Sequence, residues 1–408
     1  MFLNDEEQAM LKGELGEAKK WAIEHQIQVG KFFGAENLVL ISQAHMMVDP
    51  ESIGEGGVLF LEKLVNLGAQ VSVPMITDPR GVDLNYYKPL GQTEEMANID
   101  RRTISACTSM GILMTNTCVN YQTIMPPVLG EHVAYGDTGV VIYSNSCCGA
   151  RSNFEGGPSA LAAGITGRTP RYGLHLDGKR VPTKRFSVTN QPKELTDWGV
   201  LGAVIGKKSG SYWEVPVIEG LEVIPTSDEM KHMGAAMASY GSTPLFHLLG
   251  ITPEAKNMTM KEIDHINKIK ITESDLLSLK SQFGKKGDKI DVVVFAAPQL
   301  SIIEIQKVAN LCDNKNFKIP VIVCTSPQVY ADALRMGLIK KIEDSSAKVL
   351  EGTCFYNQYA KEIGEANGWK KLLSNSTKIV NILGGYGYEP SLASMEDCIK
   401  SALIGEIV

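Results

Sequence analysis

The chain has 408 residues but only 8 cysteines, and no two of them stand in a CxxC spacing. Thiols this dilute do not make a disulfide scaffold, so any metal site must be assembled by the fold from separate segments. No apolar run approaches the ~20 residues of a membrane helix, which argues against a spanning segment. The opening MFLNDEEQAMLKGELGEAKK lacks a basic stretch ahead of an apolar core, so it reads as an amphipathic helix of a cytoplasmic protein and not as a secretion signal. An excess of basic charge is missing too. The 40 Lys and Arg against 46 Asp and Glu give a net charge of −6 with the signs interspersed, no footprint for nucleic acid, and a small molecule is the expected partner. Internal repeats and low-complexity stretches are also lacking.

What is present is an ordinary 44% of hydrophobic residues, enough for a large core in a chain of two or three lobes. Apolar strand-like runs alternate with helical patterns. LVLISQAH (38–45) reads as a strand, GVLFLEKLVNLG (57–68) as a helix, and QVSVPMIT (70–77) as a strand again. EEMANIDRRTISACTSMG followed by ILMTNTC repeats the alternation. Late in the chain, IDVVVFAAP, LSIIEIQKVANLCD and IPVIVCTS give another strand, helix and strand. The expectation is an α/β protein of parallel sheets covered by helices, in approximate lobes 1–135, 136–285 and 286–408.

In such lobes ligands gather at the carboxyl ends of strands. Small polar residues follow apolar runs at Ser42–His45, Asn116–Asn120, Ser144–Gly157 and Ser374–Lys378. Turns and helix caps use the same residues. The third stretch, NSCCGARSNFEGGP (145–158), combines amides, a hydroxyl, two thiols, a guanidinium and a carboxylate. Arg151 suits a bidentate carboxylate clamp, and Gly156 and Gly157 allow close backbone approach. Read as a strand, its adjacent Cys147 and Cys148 point to opposite faces, so at most one faces a pocket, and both serving as packing residues stays open.

The run NSCCGARSNFEGGPSALAAGITGRTPRYGLHL (145–176) resembles the signature of the aconitase X family, and the likeness covers nearly the whole chain. SQAHMMVDPESIGEGG, TNTCVNY, GEHVAYGD, EGTC and SNSTK resemble further family motifs in the same order. The resemblance implies an aconitase-like fold of several α/β/α lobes around a central cleft. It implies a hydro-lyase that dehydrates or hydrates a small hydroxy acid, as members do with cis-3-hydroxy-L-proline and mevalonate 5-phosphate. It also implies an iron–sulfur cluster or mononuclear iron, and a small swivelling domain bearing a catalytic serine. That domain is not found in this chain, so a two-chain enzyme is expected, with this chain as the large subunit.

Carried over by motif, Cys118 and Cys354 occupy two ligand positions. The family's Gly-Cys-Pro-His, whose cysteine is the third ligand, is here Ala296-Ala297-Pro298-Gln299. Cys148 is the candidate replacement, with Cys107 and Cys324 behind it, and Cys312 and Cys398 are expected in the core. Asp137, Glu55, His45 and Lys378 are candidate catalytic groups. Asn145, Ser146, Arg151, Asn153, Glu155, Ser374, Asn375 and Ser376 are candidate substrate ligands, and His132 is a possible hydrogen-bond partner. Besides a hydro-lyase with a relocated third ligand, a lyase or isomerase with mononuclear iron and a non-catalytic metabolite-binding paralogue remain open.

Overall fold

The structure, a computed structural model, describes residues 1–313 and 315–408. Three parallel sheets carry it. The largest has five strands in the order Ala347–Glu351, Val321–Thr325, Val292–Leu300, Lys371–Ser374 and Glu389–Leu392. A four-stranded sheet runs His247–Leu248, Pro216–Glu219, Lys184–Val188, Lys268–Ile271, and a three-stranded one runs Met75–Thr77, Ala44–Met46, Ala134–Tyr135. The remaining pair, Leu38–Leu40 with Arg168–Pro170, is antiparallel. Each large sheet is covered by helices, as all-parallel sheets require.

The strand Val292–Leu300 lies at the centre of the five-stranded sheet and is buried at every position. That explains its unbroken apolar start, VVVFAA: both faces meet protein, so no polar alternation appears. Its register against Val321–Thr325 slips between Phe295 and Leu300. Within that slip, Ala297 takes a left-handed φ of 51°. A residue with a Cβ pays for that conformation, and such outliers gather at functional sites. Asn116, φ 48°, is a second.

The helix Leu195–Ser209 packs very closely on Ser227–Gly241 because glycines face the contact. A Cβ on Gly202 would stand 2.0 Å from the Met233 carbonyl oxygen. The helix Gly157–Thr166 packs in one core with Ala18, Ala22 and the strand Ala44–Met46.

Three local expectations change. LVLISQAH is two short strands in different sheets, Leu38–Leu40 and Ala44–Met46. ILMT forms no strand and makes only a bridge from Leu113 to Ile76. VVIY (140–143), the apolar run ahead of Ser144 and so expected as a strand, lies in a helix, Thr138–Tyr143, because the Asp137 side chain accepts the N–H groups of Gly139 and Val140 and starts a helical turn. A short buried apolar run fits either element, and the cap decides between them. The chain continues through a π-helical turn, Ser144–Cys148, that ends on Gly149 with φ 71°. Cys147 and Cys148 are therefore helical neighbours, and the opposite-face reading of a strand does not hold.

Candidate active site

The carboxyl end of the central strand Val292–Leu300 is the floor of a buried polar pocket. The N–H of Ala297 points to Cys354 Sγ at 3.2 Å, and that of Gln299 to Cys118 Sγ at 3.4 Å. The neighbouring Cys354 thiol, together with burial, pushes the Cys118 thiol well above its usual range. Gln299 ties the pocket together. Its Oε1 accepts the Cys118 N–H at 3.3 Å, and its Nε2 donates to the carbonyls of Asn116, Thr325 and Thr353 at 3.0–3.3 Å.

Beside the thiols stands a buried ion pair. Lys378 Nζ lies 3.4 Å from Asp137 Oδ1, and the Tyr356 hydroxyl donates to the same oxygen at 3.3 Å. Burial pushes the Asp137 carboxyl up, but Lys378 and the N–H groups of Val140 and Gly139 outweigh it, and the net position is below the usual range. Burial pulls the Lys378 ammonium down, while Asp137 and the two thiols raise it further, so it stays charged.

A second acid was not nominated from the sequence. Asp78 directly follows the strand Met75–Thr77 and is buried, 3.7 Å from His45 Nε2 and 3.5 Å from Asn357 Nδ2. Burial and the nearby Asp137 hold its carboxyl well above the usual range. The rule that points to ligand loops after strands would have found it, since MIT is followed at once by Asp. Asp49 caps the helix Pro50–Asn66 in the same charged neighbourhood, and burial raises it to about 6. His45 Nε2 donates to the Thr117 carbonyl at 2.9 Å, and burial lowers its pKa. Asp78 Oδ1, His45 Nδ1, Asn116 Oδ1, Thr353 Oγ1 and Asn357 Oδ1 are buried with no protein partner. Buried polar atoms left this way call for a ligand or water.

Of the residues nominated from the sequence, the structure gathers Cys118, Cys354, Asp137, Lys378 and His45 here. Ser376 belongs to the frame: its hydroxyl donates to the Ala297 carbonyl and caps the helix Thr377–Leu383, while Ser374 Oγ accepts the Ser376 N–H. Asn375 is buried beside them, with its carbonyl taken by Thr196.

The signature segment acts differently. The Asn145 amide is spent on Ser152 and Pro244, Ser146 Oγ accepts the Phe246 N–H, and Asn153 braces Tyr172, Leu174 and Tyr212. Glu155 is buried against Thr169. Arg151 donates to exposed Asp177 and to the His175 carbonyl, and His132 Nδ1 meets His175 Nδ1 at 2.9 Å. Glu55 sits on an exposed helix face against Arg102. Cys148 is half-buried, with Glu131 the charge that bears on it. Cys107 packs in the core of the first lobe, Cys312 and Cys398 in that of the last. Cys324 is buried in the strand Val321–Thr325, near the pocket floor.

Among the described residues, no group of three histidines, cysteines or carboxylates stands ready to hold a metal ion. The paired thiols and orphaned polar atoms fit an iron centre held at two positions. Ala297 brings a methyl and no donor side chain to the third, so a cluster on three protein thiolates does not fit.

Profiles of the aconitase X first, second and third domains match residues 1–178, 182–281 and 290–404. The phosphomevalonate dehydratase large subunit of Thermococcus kodakarensis is 33% identical over 406 residues, 98% of this chain and 100% of that protein. The chain belongs to the aconitase X family. The large subunit from Methanosarcina mazei is 35% identical and covers 100% of this aconitase X chain and 98% of its own length. The cis-3-hydroxy-L-proline dehydratase of Pseudomonas aeruginosa is 26% identical, and this chain spans 69% of it. The crystal structure of holo-form aconitase X from Thermococcus kodakaraensis superposes with a TM-score of 0.90 at 32% identity, covering 98% of this chain and 100% of the other. The aconitase-like α/β fold expected from the resemblance is thus borne out. No helix among the described residues is long and apolar enough to cross a membrane.

Proposed function

We propose that this aconitase X chain is the large subunit of a hydro-lyase that removes water from, or adds it to, a small hydroxy acid. The observation that carries the reading is the meeting of Cys118, Cys354, Lys378 and Asp137 in one buried pocket at the end of the central strand. Cys118 and Cys354 would hold an iron centre, which when bound supplies a Lewis acid for a hydroxyl.

This chain's own groups do the rest. Lys378, anchored by Asp137, offers its ammonium to a carboxylate or phosphate oxygen of the substrate. Asp78, with an unpartnered Oδ1 and a carboxyl whose hold on its proton burial strengthens, gives a proton to the departing hydroxyl. The base that takes the carbon-bound proton is assigned to a serine of a small swivelling subunit. The relatives named as large subunits support such a partner, and the longer hydroxyproline dehydratase supports it as a fused domain. Arg151 remains the proposed clamp for a second anionic group, its guanidinium held by an Asp177 side chain that is 85% exposed and readily displaced. Eight free thiols suit a reducing cytoplasm.

The Ala297 methyl favours mononuclear iron over a three-thiolate cluster as a second reading of the centre. The test is dehydration of mevalonate 5-phosphate and of cis-3-hydroxy-L-proline by the anaerobically reconstituted chain with its small subunit. Water loss from either substrate, abolished in Lys378→Met, supports the proposal. An iron-free protein that turns over neither substrate sinks it.

A further inference from the structure

Cys118 belongs to the first domain and Cys354 to the third, so their closeness depends on how the domains register. One buried polar knot joins all three. Asp228, in the first turn of Ser227–Gly241 of the second domain, accepts from Gln122 Nε2 of the first at 2.9 Å and from Ser301 Oγ of the third at 2.7 Å. Lys231, one turn further and fully buried, lies 3.2 Å from Asp228, pairs with Glu304, and donates to the Gln299 carbonyl at 3.2 Å. Glu304 also takes His232 Nε2 at 2.7 Å and the Ser301 N–H at 2.9 Å. The far end of the knot is therefore Gln299, whose N–H meets Cys118 and whose amide binds the segments carrying both thiols.

We propose that Lys231, with Asp228 and Glu304, is a positioning residue that registers the three domains so that Cys118 and Cys354 form a dithiol pocket. Stability alone is a poor reason for the knot, since a buried ion pair contributes little over a well-packed apolar replacement. What an apolar side chain cannot supply is a fixed donor to the Gln299 carbonyl. The close glycine packing of Leu195–Ser209 on the helix that carries Lys231 leaves that donor little room to drift.

Arsenite is the probe, because it needs two adjacent thiols: two As–S bonds form, two waters leave, and nothing is oxidised. The full-length chain with Cys147→Ser and Cys148→Ser removes the other adjacent pair. Lys231→Met/Glu304→Gln/Asp228→Asn then deletes the lysine together with both carboxylates that face it, so that neither is left without its cation, and Lys231→Gln/Glu304→Gln/Asp228→Asn keeps a neutral donor. The Met variant should bind arsenite at least tenfold more weakly, with a weaker As–S absorption band and an intact cooperative thermal transition. The Gln variant should recover most of the affinity. Wild-type affinity in the Met variant would overturn the proposal, as would failure of the Gln variant to recover it. So would a loss seen only together with loss of the thermal transition, which marks a purely stabilising knot. Arsenite capture does not depend on the dehydratase reading, so the two fail separately.

Discussion

Ala297 donates its backbone N–H to Cys354 Sγ at 3.2 Å, and its carbonyl is held by the Ser376 hydroxyl. The residue at the third corner of the thiol pocket is fixed on both sides of its Cα and brings no third donor side chain. Replacing it therefore changes the donor set with little change of frame.

The variant Ala297→Cys should raise the iron and acid-labile sulfide retained per chain after anaerobic reconstitution, with stronger thiolate-to-iron absorption, because a third thiolate completes the set that clusters require. Metal analysis beside visible spectra checks this. Unchanged iron and spectrum would remove position 297 from the metal site.

Lys378→Met leaves Asp137 buried without its cation. Breaking a buried pair on one side costs about 3–5 kcal/mol, so the denaturant midpoint should fall by that equivalent. Dehydration should fall by about 100-fold or more if the ammonium meets charge on the reacting substrate. Lys378→Met/Asp137→Asn should regain much of the stability and none of the activity. Recovery of both would make the pair purely structural.

The Glu304 carboxyl gives a pH signature. Burial pushes it up, but Lys231 and His232 outweigh that and hold it at about 2, below the ordinary 4.5. A folded-state value lower than the unfolded one means that the stabilisation is fully present above pH 4.5 and is lost as the pH falls toward 2. The stability gap between wild type and Glu304→Gln should accordingly be widest near neutrality and close across that window. A gap that does not narrow in acid would show that the ion pair is not its source.

Gly202→Ala would place a Cβ against the Met233 backbone, which cannot move aside as a side chain tip can. Overpacking of this kind costs about 1–3 kcal/mol. A lowered Tm is expected, and with it a lowered affinity for arsenite, since the displaced helix carries Lys231. An unchanged Tm would mean that the two helices separate without penalty.

Much of the fold was legible because its signals are local. VVVFAA, rich in β-branched residues, reads as a buried strand, and EEMANIDRRTISACTS has the apolar spacing of the helix Glu94–Ser109. VVIY was not legible in that way. Its residues suit strand and helix alike, and the Asp137 side chain settled the matter by capping a turn. At the site, the motif resemblance brought Cys118, Cys354, Asp137, Lys378 and His45 into view, and the pocket holds all five. Asp78 escaped notice since it belongs to no cluster of chemical groups in the sequence, and Gln299, though part of a matched motif, gave no sign that its amide ties three segments together.

By itself the sequence determined the α/β alternation and the family, because composition, periodicity and motif order are properties of the chain. Only the tertiary structure decided which polar groups share a pocket. Cys118 and Cys354 lie more than two hundred residues apart in sequence, and what makes them neighbours is the slip at the end of the central strand, read by Gln299 and held by Lys231 from the second domain. It also decided that Asn145–Cys148 turns as a helix, with the Asn145 amide spent on bracing Ser152 and Pro244, since an amide buried without partners is costly.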